Sequence, residues 1–155
     1  CQIYLPSGAI CGLDGVKSAS LGRIDKVTLT TRKPPRSLEG APYLVSKGIN
    51  LSQIKQETLL FEGTAEEAIR GFPQNVNVCA TLSIAGIGPE KTRVKIITSP
   101  FYTSNIHEVE AEGAFGRLTV RTENVPSPQN PKTSYLAALS AIATLKQILE
   151  PVKIG

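Results

Sequence analysis

One histidine, a pair of asparagines before an apolar run and a few clustered cations are the residues of this chain best suited to act on a small molecule. His107, in Ser104-Asn105-Ile106-His107-Glu108, is the sole histidine. Its ordinary pKa lies near neutrality, as a general base requires. A satisfied core histidine is the competing reading of the same residue. Phe72-Pro73-Gln74-Asn75-Val76-Asn77-Val78 sets Asn75 and Asn77 at a helix start, where amide side chains and free backbone N–H groups can hold a polar ligand. Capping alone needs only one of them. Asn130-Pro131-Lys132-Thr133-Ser134 repeats the theme, and Lys132 adds a charge that suits a carboxylate. Arg32 and Lys33 end a β-rich run at Pro34-Pro35. In an extended strand they point to opposite faces, so one of the two meets any given site.

Composition narrows what these groups can serve. The 155 residues are 41% hydrophobic and 19% charged, enough for one domain with its own core. The most apolar stretches, 76–88 and 135–145, are too short and too interrupted to span a bilayer. No secretory signal pattern opens the chain, and a cytoplasmic protein is the expectation. Cys1, Cys11 and Cys79 share no CxxC spacing, which argues against a disulfide framework, and with one histidine they make a poor metal set. The net charge of +4 is concentrated around Arg32-Lys33-Pro34-Pro35-Arg36, and the four Tyr and four Phe are not interleaved with it. That suits a small anion better than a nucleic acid. No GxGxxG, P-loop, GxSxG or HExxH occurs. The chain begins at Cys1 and has no methionine, so a piece of a longer gene product is expected.

The elements that must position these residues alternate along the chain. A short helix is expected within 10–21, ended by Gly22, and a strand over 24–32, with Val27, Leu29 and Thr31 on one side. Residues 34–50 read as loop. A strand over 58–63 leads into Thr64-Ala65-Glu66-Glu67, a capping box that opens a short helix ending before Pro73. A second helix over 76–85, a strand over 93–98 and a last helix over 134–149, capped by Thr133 or Ser134, complete the set. Between them, 105–123 reads as a hairpin about Glu112-Gly113-Ala114-Phe115-Gly116-Arg117. Folding it there sets Glu112 opposite Arg117, Glu108 opposite Arg121, Val109 opposite Val120, Ala111 opposite Leu118 and His107 opposite Thr122. His107 then lies on the apolar face. The last helix is apolar on all sides, so a second body is expected to pack on 134–150.

Six motifs in order resemble the C-terminal part of the L-aspartate dehydrogenase family: Ser7-Gly8-Ala9-Ile10 with Gly12-Leu13-Asp14, Thr30-Thr31-Arg32-Lys33-Pro34-Pro35, Phe61-Glu62-Gly63, Phe72–Val78, Asn105-Ile106-His107-Glu108 and Asn130–Ala137. The resemblance implies an α+β domain with a mixed, largely antiparallel sheet covered by helices, like the catalytic domain of two-domain dehydrogenases. It implies a separate N-terminal Rossmann domain that binds NAD or NADP, and a homodimer. It implies oxidation of L-aspartate to iminoaspartate, which feeds NAD synthesis or hydrolyses to oxaloacetate and ammonia. It puts catalysis on His107 and nicotinamide contacts on Ser7, Gly8, Ala9 and Asn77. Substrate contacts are expected from Asn75, Asn105, Arg32 or Lys33, Lys132, Thr133 and Ser134. No metal, membrane or nucleic-acid partner is expected. The rival readings are a reductase of the homoserine dehydrogenase or dihydrodipicolinate reductase type, and a non-catalytic dimerisation domain.

Overall fold

β-Branched residues dominate the run Ile24–Lys33, and in the computed structural model, which describes residues 1–73, 77–130 and 133–153, this run is β1. It lies at the centre of a five-stranded sheet ordered β2-β3-β1-β4-β5, with β2 at Thr58–Thr64, β3 at Arg93–Thr98, β4 at Asn105–Gly113 and β5 at Gly116–Asn124. Only β1 and β3 run parallel; every other neighbouring pair is antiparallel. The expected α+β class with a mixed, largely antiparallel sheet is the class observed.

The hairpin has the register its charges imply. Glu112 faces Arg117, Glu108 faces Arg121, Val109 faces Val120 and His107 faces Thr122. Glu112 keeps Arg117 at 3.5 Å, but the other pair separates: Glu108 is drawn to Arg32 at 3.8 Å, and Arg121 to Glu123 at 2.6 Å. These exposed and half-exposed pairs contribute little to stability. Val27, Leu29, Val94, Ile96, Val109 and Ala111 form the other, buried face of the sheet. Over it pack Val16 from α1 (Leu13–Ala19), Ala65 and Ala68 from α3 (Ala65–Gly71), and Val78, Cys79 and Leu82 from α4 (Asn77–Ala85). A bulge between Leu59 and Phe61 lets both Leu60 and Phe61 enter the core.

The capping box forms in full: Thr64 N–H donates to Glu67 Oε2 at 2.7 Å, and Glu67 N–H donates to Thr64 Oγ1 at 3.2 Å. Two expectations are corrected. The first helix begins at Leu13 rather than Ile10, because Gly12 adopts φ 80°, outside the helical region. Residues 34–50 are not all loop. Pro42 occupies the first turn of a short helix, α2 (Pro42–Ser46), where its missing N–H costs nothing.

The last helix, α5 (Tyr135–Leu149), contains no buried residue. Leu139, Ile142 and Leu145 are 43%, 56% and 64% exposed, although Ala137 rests against the core. Ser134 stands at its N-cap position without a side-chain capping bond. No helix among the described residues is long and apolar enough to cross a membrane.

Gly113 closes β4 against the start of β1. A Cβ there would lie 2.3 Å from the Arg23 carbonyl oxygen and 2.9 Å from Ile24 Cα, both backbone atoms that cannot rotate away. Gly113→Ala is expected to separate the strand ends and to cost about 2–4 kcal/mol in a urea titration. An unchanged midpoint would show that the sheet relaxes there freely.

Candidate active site

His107 is placed by register. It faces Thr31 on β1 and Thr122 on β5, is 4% exposed, and has Nδ1 3.0 Å from Thr31 Oγ1. Burial, with the Lys33 cation adding to it, lowers its pKa from 6.5 to about 3. The imidazole is therefore uncharged at neutral pH. Two residues beyond Thr31, on the same face, Lys33 is itself buried, and burial lowers its pKa from 10.5 to about 8. Alternation sends Arg32 to the opposite face, where it lies beside Glu108. Of Arg32 and Lys33, it is Lys33 that shares the face of His107, and Arg32 is not brought to it. Asn105 shares the face of His107, two residues before it, and its Oδ1 is buried with no hydrogen-bond partner among the described residues.

The loop Ser7-Gly8-Ala9 is held on the His107 side by β5. Thr122 Oγ1 donates to the Ala9 carbonyl at 2.9 Å and Asn124 Nδ2 donates to it at 3.0 Å. A carbonyl with both lone pairs engaged leaves Ala9 only its N–H and its methyl face to offer a ligand. Gly8 takes φ 67°, and a Cβ on it would lie 3.9 Å from Val78 Cγ1 in the first turn of α4. Gly8 therefore approaches the helix that Asn77 begins, and Ala9 is tied to Thr122, which faces His107, while Asn77 itself is exposed. Gly8 N–H also donates to Ser140 Oγ of α5 at 3.0 Å.

Ser134 and Thr133 are tied to the end of β5 and the segment after it. The Ser134 hydroxyl donates to Asn124 Oδ1 at 2.6 Å, and the Thr133 carbonyl accepts from Ser127 N–H at 2.8 Å. Asn75 and Lys132 lie outside the described residues. Sequence reasoning missed Thr31 and Asn124, which hold the histidine and the loop. The register of β1 on β4 exposes the first; no local signal marks the second. Among the described residues, no group of three His, Cys, Asp or Glu could hold a metal. The surface depressions lined by Leu44, Ile49 and Leu51, and by Pro35, Ile54 and Phe101, include none of these groups.

The buried histidine makes stability depend on pH with a definite sign. Folded, His107 stays unprotonated down to about 3, whereas in the unfolded chain it takes a proton near 6.5. Between those values the unfolded state holds more protons, so stability falls as the pH falls. His107→Asn is expected to remove at most about 1.4 kcal/mol per pH unit of that slope. Urea midpoints of both proteins across the window measure the difference. Parallel slopes would contradict the burial argument.

A neutral imidazole, a desolvated ammonium and an unfilled amide oxygen on one sheet face suit a small polar molecule with an amine and a carboxylate. A family model described as aspartate dehydrogenase, C-terminal, matches residues 14–148. L-aspartate dehydrogenase of Methanococcoides burtonii is 64% identical over 155 residues, covering 100% of this chain and 57% of the relative. That of Nitrosopumilus maritimus is 51% identical, over 99% of this chain and 56% of the relative. The crystal structure of aspartate dehydrogenase from Thermotoga maritima superposes with a TM-score of 0.77 at 32% identity, over 99% of this chain and 56% of that one. The chain thus spans little more than half the length of these relatives.

Proposed function

Because the chain belongs to the aspartate dehydrogenase C-terminal family, we propose that it is the substrate-binding and catalytic part of an NAD- or NADP-dependent L-aspartate dehydrogenase. The observation that carries this reading is the shared face of His107, Lys33 and Asn105, with the Ser7–Ala9 loop tied above it. The relatives' extra length has room for a dinucleotide-binding half. In this reading α5, whose apolar residues lie uncovered here, packs on that half. The enzyme works as a cytoplasmic homodimer.

The residues fit the nicotinamide end of such a cofactor. The loop is anchored through the Ala9 carbonyl and the Gly8 N–H, which leaves the Ala9 N–H and the first turn of α4 to contact the ring. When bound, the nicotinamide supplies the hydride acceptor. Lys33 holds a substrate carboxylate, and Asn105 Oδ1 accepts a hydrogen bond from the substrate nitrogen. As hydride leaves Cα of the free amine, the nitrogen lone pair forms the C=N bond, the nitrogen becomes iminium-like and its N–H acidifies, and the uncharged His107 is the group placed to take the proton. Substrate binding assists this step. Burial is the larger cause that suppresses protonation of the imidazole, and a carboxylate on Lys33 offsets the smaller one, the cation. The balance is L-aspartate to iminoaspartate, with a hydride leaving carbon and a proton leaving nitrogen.

The test is L-aspartate-dependent reduction of NAD and NADP by the full-length gene product, beside the 155-residue chain. Turnover is expected from the former and none from the latter. Full-length protein inert with both dinucleotides would overturn the reading.

A further inference from the structure

We propose that Thr31 is a positioning residue for this reaction, holding His107 by Nδ1 so that Nε2 is the nitrogen that meets the substrate. The inference rests on the reading of His107 as proton acceptor and extends it to a group that no substrate touches. Thr31 stands directly across from His107 in the β1–β4 register, and both side chains are buried. The 3.0 Å contact to Nδ1 is the only side-chain hydrogen bond of Thr31 Oγ1 among the described residues.

The chemistry of the partner follows from what the ring must do. To accept a proton at Nε2, neutral imidazole must carry its own proton on Nδ1, and that proton needs an acceptor out of reach of water. Oγ1 supplies it. After proton transfer Nδ1–H still donates to the same oxygen, so the bond survives the reaction unchanged. A carboxylate in this place would hold the ring charged before substrate arrived. A hydroxyl orients it without doing so. Neighbouring groups add to the constraint, since the His107 carbonyl lies 3.4 Å from Thr122 Oγ1 on the other flank. The strand is thus held from both sides at His107.

The experiment uses the full-length enzyme with Thr31→Val, which keeps the shape without the hydroxyl, and Thr31→Ser, which keeps the hydroxyl. Thr31→Val is expected to lower kcat by about 10–100-fold with the KM for aspartate within about twofold, and Thr31→Ser to recover most of the loss. Long-range ¹H–¹⁵N spectra, with His107→Asn as the assignment control, are expected to show Nδ1 protonated in the wild type and a mixture of tautomers in Thr31→Val. The wild-type spectrum decides the matter even where Thr31→Val fails to fold. A wild-type ring protonated on Nε2, or an unimpaired Thr31→Val enzyme beside an inactive His107→Asn enzyme, overturns this inference alone. An active His107→Asn enzyme removes the proton-acceptor reading and this inference with it.

Discussion

His107→Asn in the full-length enzyme is expected to lose about 10²–10⁴-fold in turnover while keeping its fold and most of its dinucleotide affinity. Asparagine still offers Thr31 a polar partner, but it has no useful affinity for a proton. The loss should therefore fall on kcat rather than on the KM for aspartate. Histidine as packing alone predicts the reverse, with a lower melting temperature and full activity in whatever stays folded. Steady-state kinetics beside thermal melts separate the two. A stable His107→Asn protein with near-normal turnover would reduce the histidine to a core residue.

Lys33→Met should have the second-largest effect. Burial lowers the pKa of Lys33 to about 8, so at neutral pH the fold carries a charge at a desolvation cost. Methionine fills a similar volume without that charge, so the substitution removes the cation with little change in packing. The same change removes the cation assigned to a substrate carboxylate, raising the KM for aspartate about 10²-fold or more. His107 should also become easier to protonate, since the cation that opposes it is gone. Denaturant titration and a KM measurement on one preparation separate a role in binding from a role in the fold. A less stable protein with an unchanged KM would mean that Lys33 serves the fold.

The hairpin was legible because its charges alternate on both arms about a glycine-flanked turn, which leaves a single register with paired signs. The strand over 93–98 and the capping box were legible for similarly local reasons. β1 was legible as a strand but not as the centre of the sheet. Thr28, Thr30 and Thr31 are buried although polar, and nothing local says what covers them. The helix at Pro42–Ser46 was hidden because proline signals a break unless its place in the first turn is known. The same limit applies at the site. His107 stood out by its chemistry, whereas Thr31 reads as an ordinary strand residue until β1 is laid beside β4. Asn124 acts across 115 residues of chain, and no spacing rule reaches that far.

The alternation along β4 also has a consequence for how reliably the site is assembled. His107, Val109 and Ala111 face inward, and Glu108, Glu110 and Glu112 alternate with them. A hairpin misaligned by one residue would drive those three carboxylates into the core, and each unpaired one carries a heavy desolvation penalty. A misaligned chain therefore does not survive as a folded but inactive enzyme; it fails to fold and is left to proteolysis. The glutamates take no part in the reaction assigned to this face, yet they act as its proofreaders. Neutral replacements such as Glu108→Gln and Glu110→Gln would leave the chemistry of correctly folded molecules intact while letting misregistered ones persist, lowering the active fraction of a preparation rather than the rate of any active molecule.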